Sequence, residues 1–292
     1  MLKLEEEEIT LDKQEQIERI RLKYSHICSS HSFVSLYIWK EAMELSICLT
    51  DRMFAVRIGI RGNNTWFFPC GDIEEKKEFL LSHIQEPDFC LCYVREEDVA
   101  FVHQYFPGQF IFENKEGDGE YIYRREELKN LNGKKFAKLR NHKKRAMRDH
   151  ALECVILDDS MISAAVDIIK KWEQSHHEMG KFSTTDYDAS RLFFHHWKEL
   201  RIYGTLLKVD GEPYAIAAGF WISPNCFDLC MAKQKGRVSG ISVYSKWALI
   251  SSLSNETEYI NAEEDMGIEG LRIMKHQMKP CGMISMYTGK RK

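Results

Sequence analysis

The stretch RIYGTLLKVDGEPYAIAAGFWI, Arg201 to Ile222, reads as two strands, Ile202 to Val209 and Pro213 to Ile222, joined by Asp210-Gly211. An Asp-Gly pair takes positive φ at both turn positions at little cost, and that geometry matches the twist of paired strands, so the pair marks a tight hairpin. A third strand, Cys226 to Ala232, follows. Working outward, a strand at Glu153 to Leu157 and helices at Met161 to His177 and Asp186 to Leu200 precede the hairpin. A helix from Ser242 to Leu253, a strand at Glu258 to Asn261, a helix from Ile268 to Lys279 and a strand at Met283 to Tyr287 come after it. The order is βααβββαβαβ.

The first half reads almost the same way. Helical spacing through Ile17, Ile20 and Tyr24 and a second helix from Ser32 to Lys40 lead into three strands, Glu44 to Leu49, Phe54 to Ile60 and Thr65 to Phe68. Turn residues at Asp51 and Gly62-Asn63-Asn64 separate these strands. Asp72 then caps a helix to Ile84, Phe89 to Val94 is a strand, Glu96 to Tyr105 a helix and Gln109 to Glu113 a strand. No residue-by-residue repeat accompanies the repeated order, so a duplicated structure is the economical account. A chain of 292 residues also suits two domains, each with its own core.

This order resembles the acyl-CoA N-acyltransferase (GNAT) fold. The resemblance implies an α/β (α+β) protein of two tandem GNAT-like domains. Each would be a mixed, mostly antiparallel sheet flanked by helices and splayed between its fourth and fifth strands to make a substrate cleft. The expected boundaries are an N-terminal domain over 1–120, a basic linking segment over 121–150 and a C-terminal domain over 151–292.

Composition narrows the setting. Hydrophobic residues make up 44% of the chain and only six residues are proline, which fits a folded protein with short linkers. No apolar run reaches the roughly 18 residues of a membrane-spanning helix. The start, MLKLEEEEITLDK, is acidic where a signal peptide is basic and then apolar, so a cytoplasmic protein is expected. Nine scattered cysteines without a CxxC motif suit a reducing compartment. The net charge of -3 hides a concentration of base: Arg124 to His150 holds eleven Lys or Arg against three acids. Such a segment suits an anionic partner.

Two motifs carry a closer resemblance: YIYRREELKNLNGKKFAKLRNHKKRAMRD, Tyr121 to Asp149, and NAEEDMGIEGLRIMKHQMKP, Asn261 to Pro280. Both resemble bacterial proteins related to the C-terminal domain of phosphatidylglycerol lysyltransferases, and Leu36-Tyr37-Ile38-Trp39 fits as well. The resemblance implies a transferase that moves an amino acid from aminoacyl-tRNA to phosphatidylglycerol or a similar lipid or amine acceptor. It would work at the cytoplasmic face of the membrane, with anionic phospholipid as a second partner, no tightly bound cofactor and no DNA. Acyl-CoA is the alternative donor, and a non-catalytic RNA- or anion-binding protein of the same fold is a further alternative. The CoA loop pattern Q/R-x-x-G-x-G/A is not matched: Gln234 to Gly240 has its glycines at another spacing, although a loop entering a helix N-terminus binds phosphate.

In the basic segment Lys134, Lys138, His142 and Arg145 share one side of a helix, with Arg140, Asn141 and Lys144 beside them and Phe136, Leu139 and Met147 as an apolar strip. They suit phosphates of tRNA or lipid; a solvated bridging helix is the alternative. Asn261, Glu263, Glu264 and Asp265 follow a strand and precede a helix. Helix capping accounts for carboxylates there. A carboxylate in a cleft would instead bind the α-ammonium of an aminoacyl donor or act as general base, with Asp265 and Glu264 favoured for catalysis. Arg272, Lys275 and Lys279 at i, i+3 and i+7 suit a phosphate or a developing oxyanion, Arg272 in the catalytic role; pairing of Arg272 with Glu269 is the alternative. His176-His177 and His195-His196 lack metal-ligand spacing, so no metal is expected.

Overall fold

The computed structural model describes residues 5–60, 64–177 and 185–292. The expected turn at Gly62-Asn63 and the loop through Gly180, Ser183 and Thr184 lie outside these residues, as do the side chains of His176, His177 and Thr185. In chain order the strands are β1 Glu7–Glu8, β2 Leu45–Leu49, β3 Met53–Ile58, β4 Thr65–Phe67, β5 Cys70–Gly71, β6 Cys90–Val94, β7 Phe110–Asn114, β8 Glu120–Arg124, β9 Leu152–Ile156, β10 Tyr203–Val209, β11 Glu212–Ser223, β12 Cys226–Gln234, β13 Tyr259–Asn261, β14 Gly282–Ile284 and β15 Tyr287–Arg291. They form two sheets flanked by helices in two compact units.

The first unit comprises Met1–Glu120, Glu264–Ile268 and Met283–Lys292. Its sheet runs β1–β2–β3–β4–β6–β15–β7, with β5 beside β3. The helix Ile73–His83 begins where expected: the Asp72 carboxylate accepts from the N–H groups of Glu74 and Glu75, which satisfies donors that the first turn leaves open. Its Phe79 and Leu80 join a core with Trp66, Leu91, Val102 and Phe110. Each such side chain contributes on the order of 1.5–3 kcal/mol by burial.

The second unit comprises Tyr121–Glu263 and Glu269–Gly282, and its sheet runs β14–β8–β13–β12–β11–β10–β9. The hairpin forms as read, with Asp210 at φ 54° and Gly211 at φ 90°. The neighbouring strands β12 and β13 run parallel.

Two expectations need correction. The segment from Tyr121 to His150 is not a link. Tyr121 to Arg124 are strand residues, with Ile122, Tyr123 and Arg124 paired antiparallel to β13, and the helices Arg125–Asn130 and Ala137–Asp149 bury Leu128, Leu139 and Ala146 in the second unit. The expected final strand, Met283 to Tyr287, divides: β14 pairs with β8 at the edge of the second sheet, whereas β15 lies between β6 and β7 in the first, antiparallel to both. The boundaries 1–120 and 151–292 therefore give way to a first unit that holds both chain ends and a second that starts at Tyr121 and finishes at Gly282.

Candidate functional site

In each sheet, two parallel strands run side by side and then part. In the first unit β4 and β6 pair through Phe67 and Cys92, and one further hydrogen bond joins Phe68 N–H to Cys92 O. Tyr93 then takes a positive φ of 51° and its ring packs 4.5 Å from that of Phe67. The carbonyl of Phe68 accepts from His31 Nε2 at 2.8 Å, which fixes the proton on that nitrogen. The His26 ring stacks 3.9 Å from that of His31, and Phe67, Phe68 and both histidines are buried. Burial holds His31 down to about 3. The parting strands of the first unit are thus filled by rings.

In the second unit the corresponding place is polar. β12 and β13 pair from Cys226 with Tyr259 to Asp228 with Asn261; β12 then continues along β11 to Gln234 while β13 ends. Asp228 and Asn261 are fully buried. Asn261 Oδ1 accepts from Glu263 N–H at 2.8 Å, and this turn holds Glu263 at φ 57°. The Cys230 thiol is raised well above its usual value, by burial first and then by the carboxylates of Asp228 and Glu263. Lys275 is itself buried, and its ammonium donates to Ala262 O beside the Tyr121 ring. The end of the parallel pair therefore gathers carboxylates, an amide and an ammonium.

The loop after β12 leads into the helix Ile241–Ser252 through Gly240 at φ 86°. A Cβ on Gly240 would lie 2.2 Å from His142 O and 3.2 Å from Ala146 Cβ, so only glycine lets this loop meet the basic helix. Arg145 Nη1 donates to Ser239 Oγ at 3.4 Å. Lys138, Asn141, His142 and Arg145 line a concavity of about 350 Å³. Lys138, Asn141 and Arg145 are exposed there, close to the N-terminus of the helix Ile241–Ser252.

The other expected residues divide. Lys134 and Lys144 are exposed, whereas Arg140 donates to Leu131 O and Gly133 O and so finishes the preceding helix. Met147, expected in the apolar strip, is 54% exposed, and Ala146 takes the buried position. Glu264 and Asp265 belong to the first unit, Arg272, Lys275 and Lys279 to the second. Asp265 is fully buried and its Oδ1 accepts from Gly267 N–H at 2.8 Å, a turn contact ahead of the helix Glu269–Gln277. Lys279 lies past that helix at φ 63°, so the expected shared face of Arg272, Lys275 and Lys279 does not form.

Sequence reading missed Asp228, which looks like one polar residue in an apolar strand, and Lys233. The Lys233 ammonium pairs with Asp186 at 2.7 Å, donates to Ser190 Oγ at 2.9 Å and lies over the Trp172 ring. Burial lowers it and Asp186 opposes that shift. Among the described residues no group of three or more His, Cys, Asp and Glu side chains is placed to hold a metal ion, and no helix is long and apolar enough to cross a membrane.

The model of the family described as phosphatidylglycerol lysyltransferase, C-terminal, matches residues 22–288. A conserved protein of unknown function from Bacteroides thetaiotaomicron is similar in structure, with TM-score 0.92, 23% identity, and coverage of 99% of this chain and 100% of that one. L-PGS from Bacillus licheniformis is similar with TM-score 0.67, 15% identity, and coverage of 95% and 91%. Comparison with curated proteins finds no match.

Proposed function

The chain belongs to the phosphatidylglycerol lysyltransferase C-terminal family, and from that premise we propose that it is an aminoacyltransferase acting with aminoacyl-tRNA as donor and a phosphatidylglycerol-like lipid, or an amine, as acceptor. The family supports aminoacyl transfer to lipid in general. One observation carries the finer reading: the basic concavity adjoins the loop that follows β12, the strand bearing Asp228. Lys138 and Arg145 would neutralise phosphates of the tRNA acceptor end. Asp228 or Glu263 would hold the α-ammonium of the aminoacyl group or take the acceptor's proton. The acceptor oxygen or nitrogen attacks the ester carbonyl carbon, the tetrahedral adduct collapses, and the terminal ribose hydroxyl leaves with the proton. An activated ester asks chiefly for orientation and charge stabilisation. Within the same unit, Arg272 takes a supporting catalytic role, with Asn261, Lys275 and Lys279 toward substrate.

The test is transfer of a radiolabelled amino acid from a mixed charged tRNA pool to vesicles containing phosphatidylglycerol, run beside acetyl-CoA with amine acceptors. Label in the lipid fraction that falls at least tenfold in Asp228→Asn supports the reading. Label moving from acetyl-CoA alone would replace it with an N-acyltransferase.

A further inference from the structure

The helix Ile241–Ser252 carries an ammonium that its surroundings do not neutralise. Lys246 is only 6% exposed, and its Nζ lies 3.1 Å from Met274 Sδ, a weak acceptor. Among the described residues no carboxylate forms an ion pair with it; the charge that acts on it is the cation of Lys275. Burial and that like charge bring Lys246 down to about 8. A methionine of similar length would pack at this position without the cost of desolvating an amine.

Lys246 opens onto a cavity of about 70 Å³ whose walls include Leu128, Leu139, Trp247 and Met278, with Ser242 and Gln277 as polar groups. None of these residues belongs to the site assigned above. We propose that this cavity binds a small monocarboxylate with an aliphatic body, its carboxylate meeting the Lys246 ammonium. The apolar walls suit the body, and the lysine, serine and glutamine suit two carboxylate oxygens. A phosphate group needs more donors than these walls offer. A cationic ligand would meet the like charge of Lys246. The cavity has about half the volume of one that accepts benzene, so a ligand of about three carbons, carboxylate included, fits. The proposal does not rest on the transfer reaction.

Calorimetric titration of the full chain with propanoate, 1-propanol and propylamine tests it. Propanoate should bind at least tenfold more tightly than propanol, and propylamine should not bind. At pH 8.5, above the lowered value of about 8, repeating the propanoate titration in buffers of different ionisation enthalpy should show net proton uptake. Lys246→Met should raise the urea midpoint and erase the preference for propanoate over propanol. Absence of saturable propanoate binding, binding without proton uptake, or an unchanged preference in Lys246→Met would each overturn the proposal. Because the proton uptake is measured on the unmodified chain, the outcome does not depend on how the variant folds.

Discussion

A methyl group at Gly240 would test whether the loop after β12 and the basic helix form one surface. The residue sits at φ 86°, and an alanine Cβ there would approach His142 O to 2.2 Å, a backbone atom that cannot rotate away. Gly133 provides the control, since its φ of 80° is similar and a Cβ on it would meet nothing within 4 Å. Gly133→Ala should therefore show the left-handed strain alone, about 1–2 kcal/mol. Gly240→Ala adds a steric overlap of the kind that costs about 1–3 kcal/mol in packed interiors, for a total of about 2–5 kcal/mol. Urea unfolding gives both values, and heparin or tRNA binding at low salt reads the surface. Binding should fall in Gly240→Ala and hold in Gly133→Ala. Equal destabilisation by the two substitutions, with tRNA binding intact in both, would refute the close approach.

Replacing Lys138 and Arg145 with alanine should weaken tRNA binding and reduce the magnitude of its log–log salt slope by about 1.4–1.8 units, read from filter binding across a salt series; an unchanged slope would return the concavity to a solvated role. Arg140→Ala should leave that slope unchanged and lower stability by about 1–2 kcal/mol through loss of its two carbonyl contacts, as urea midpoints would show. Acid should unfold the first unit through His31: its folded value of about 3 lies below the unfolded value near 6.5, so the unfolded state binds the proton first as pH falls. The stabilisation is fully present above pH 6.5 and is lost between 6.5 and 3, by about 4–5 kcal/mol. His31→Gln should flatten that loss in a pH series of urea midpoints, and a slope identical to the native chain's would disprove the assignment.

Local chemistry made much of this fold legible. The Asp210-Gly211 turn, the Asp72 cap and the helix Glu96–Tyr105 depend on neighbouring residues, and each was readable from them. Pairing partners are different. The pattern from Met283 to Tyr287 announces one strand but not its division between β14 and β15 in different sheets, because that choice depends on edges far away in the chain. In the basic segment, charge density masked the apolar side: Tyr121, Tyr123, Leu128, Phe136 and Leu139 are all buried, yet they are spread through a run of lysines and arginines. Lys246 was legible in principle. It stands among Val243, Leu249 and Ile250 in a helix with apolar residues on every side, and a cation in such a helix has few exposed positions open to it. Asp228 had no local signal, since only the parting of β12 from β13 makes its place special.

The position of β15 has a consequence for synthesis. The slot between β6 and β7 is bounded by two strand edges, and the residues that fill it are synthesised long after both. Until then those edges remain open templates for the wrong strand, from the same chain or from another. Closure also requires contacts across more than half the chain, a slow kind of pairing. A nascent chain stalled before Tyr287 should therefore be protease-sensitive in its first 120 residues even though their sequence is complete, and a tightly folded tag fused directly to Lys292 should lower the yield of native protein more than the same tag at the other end.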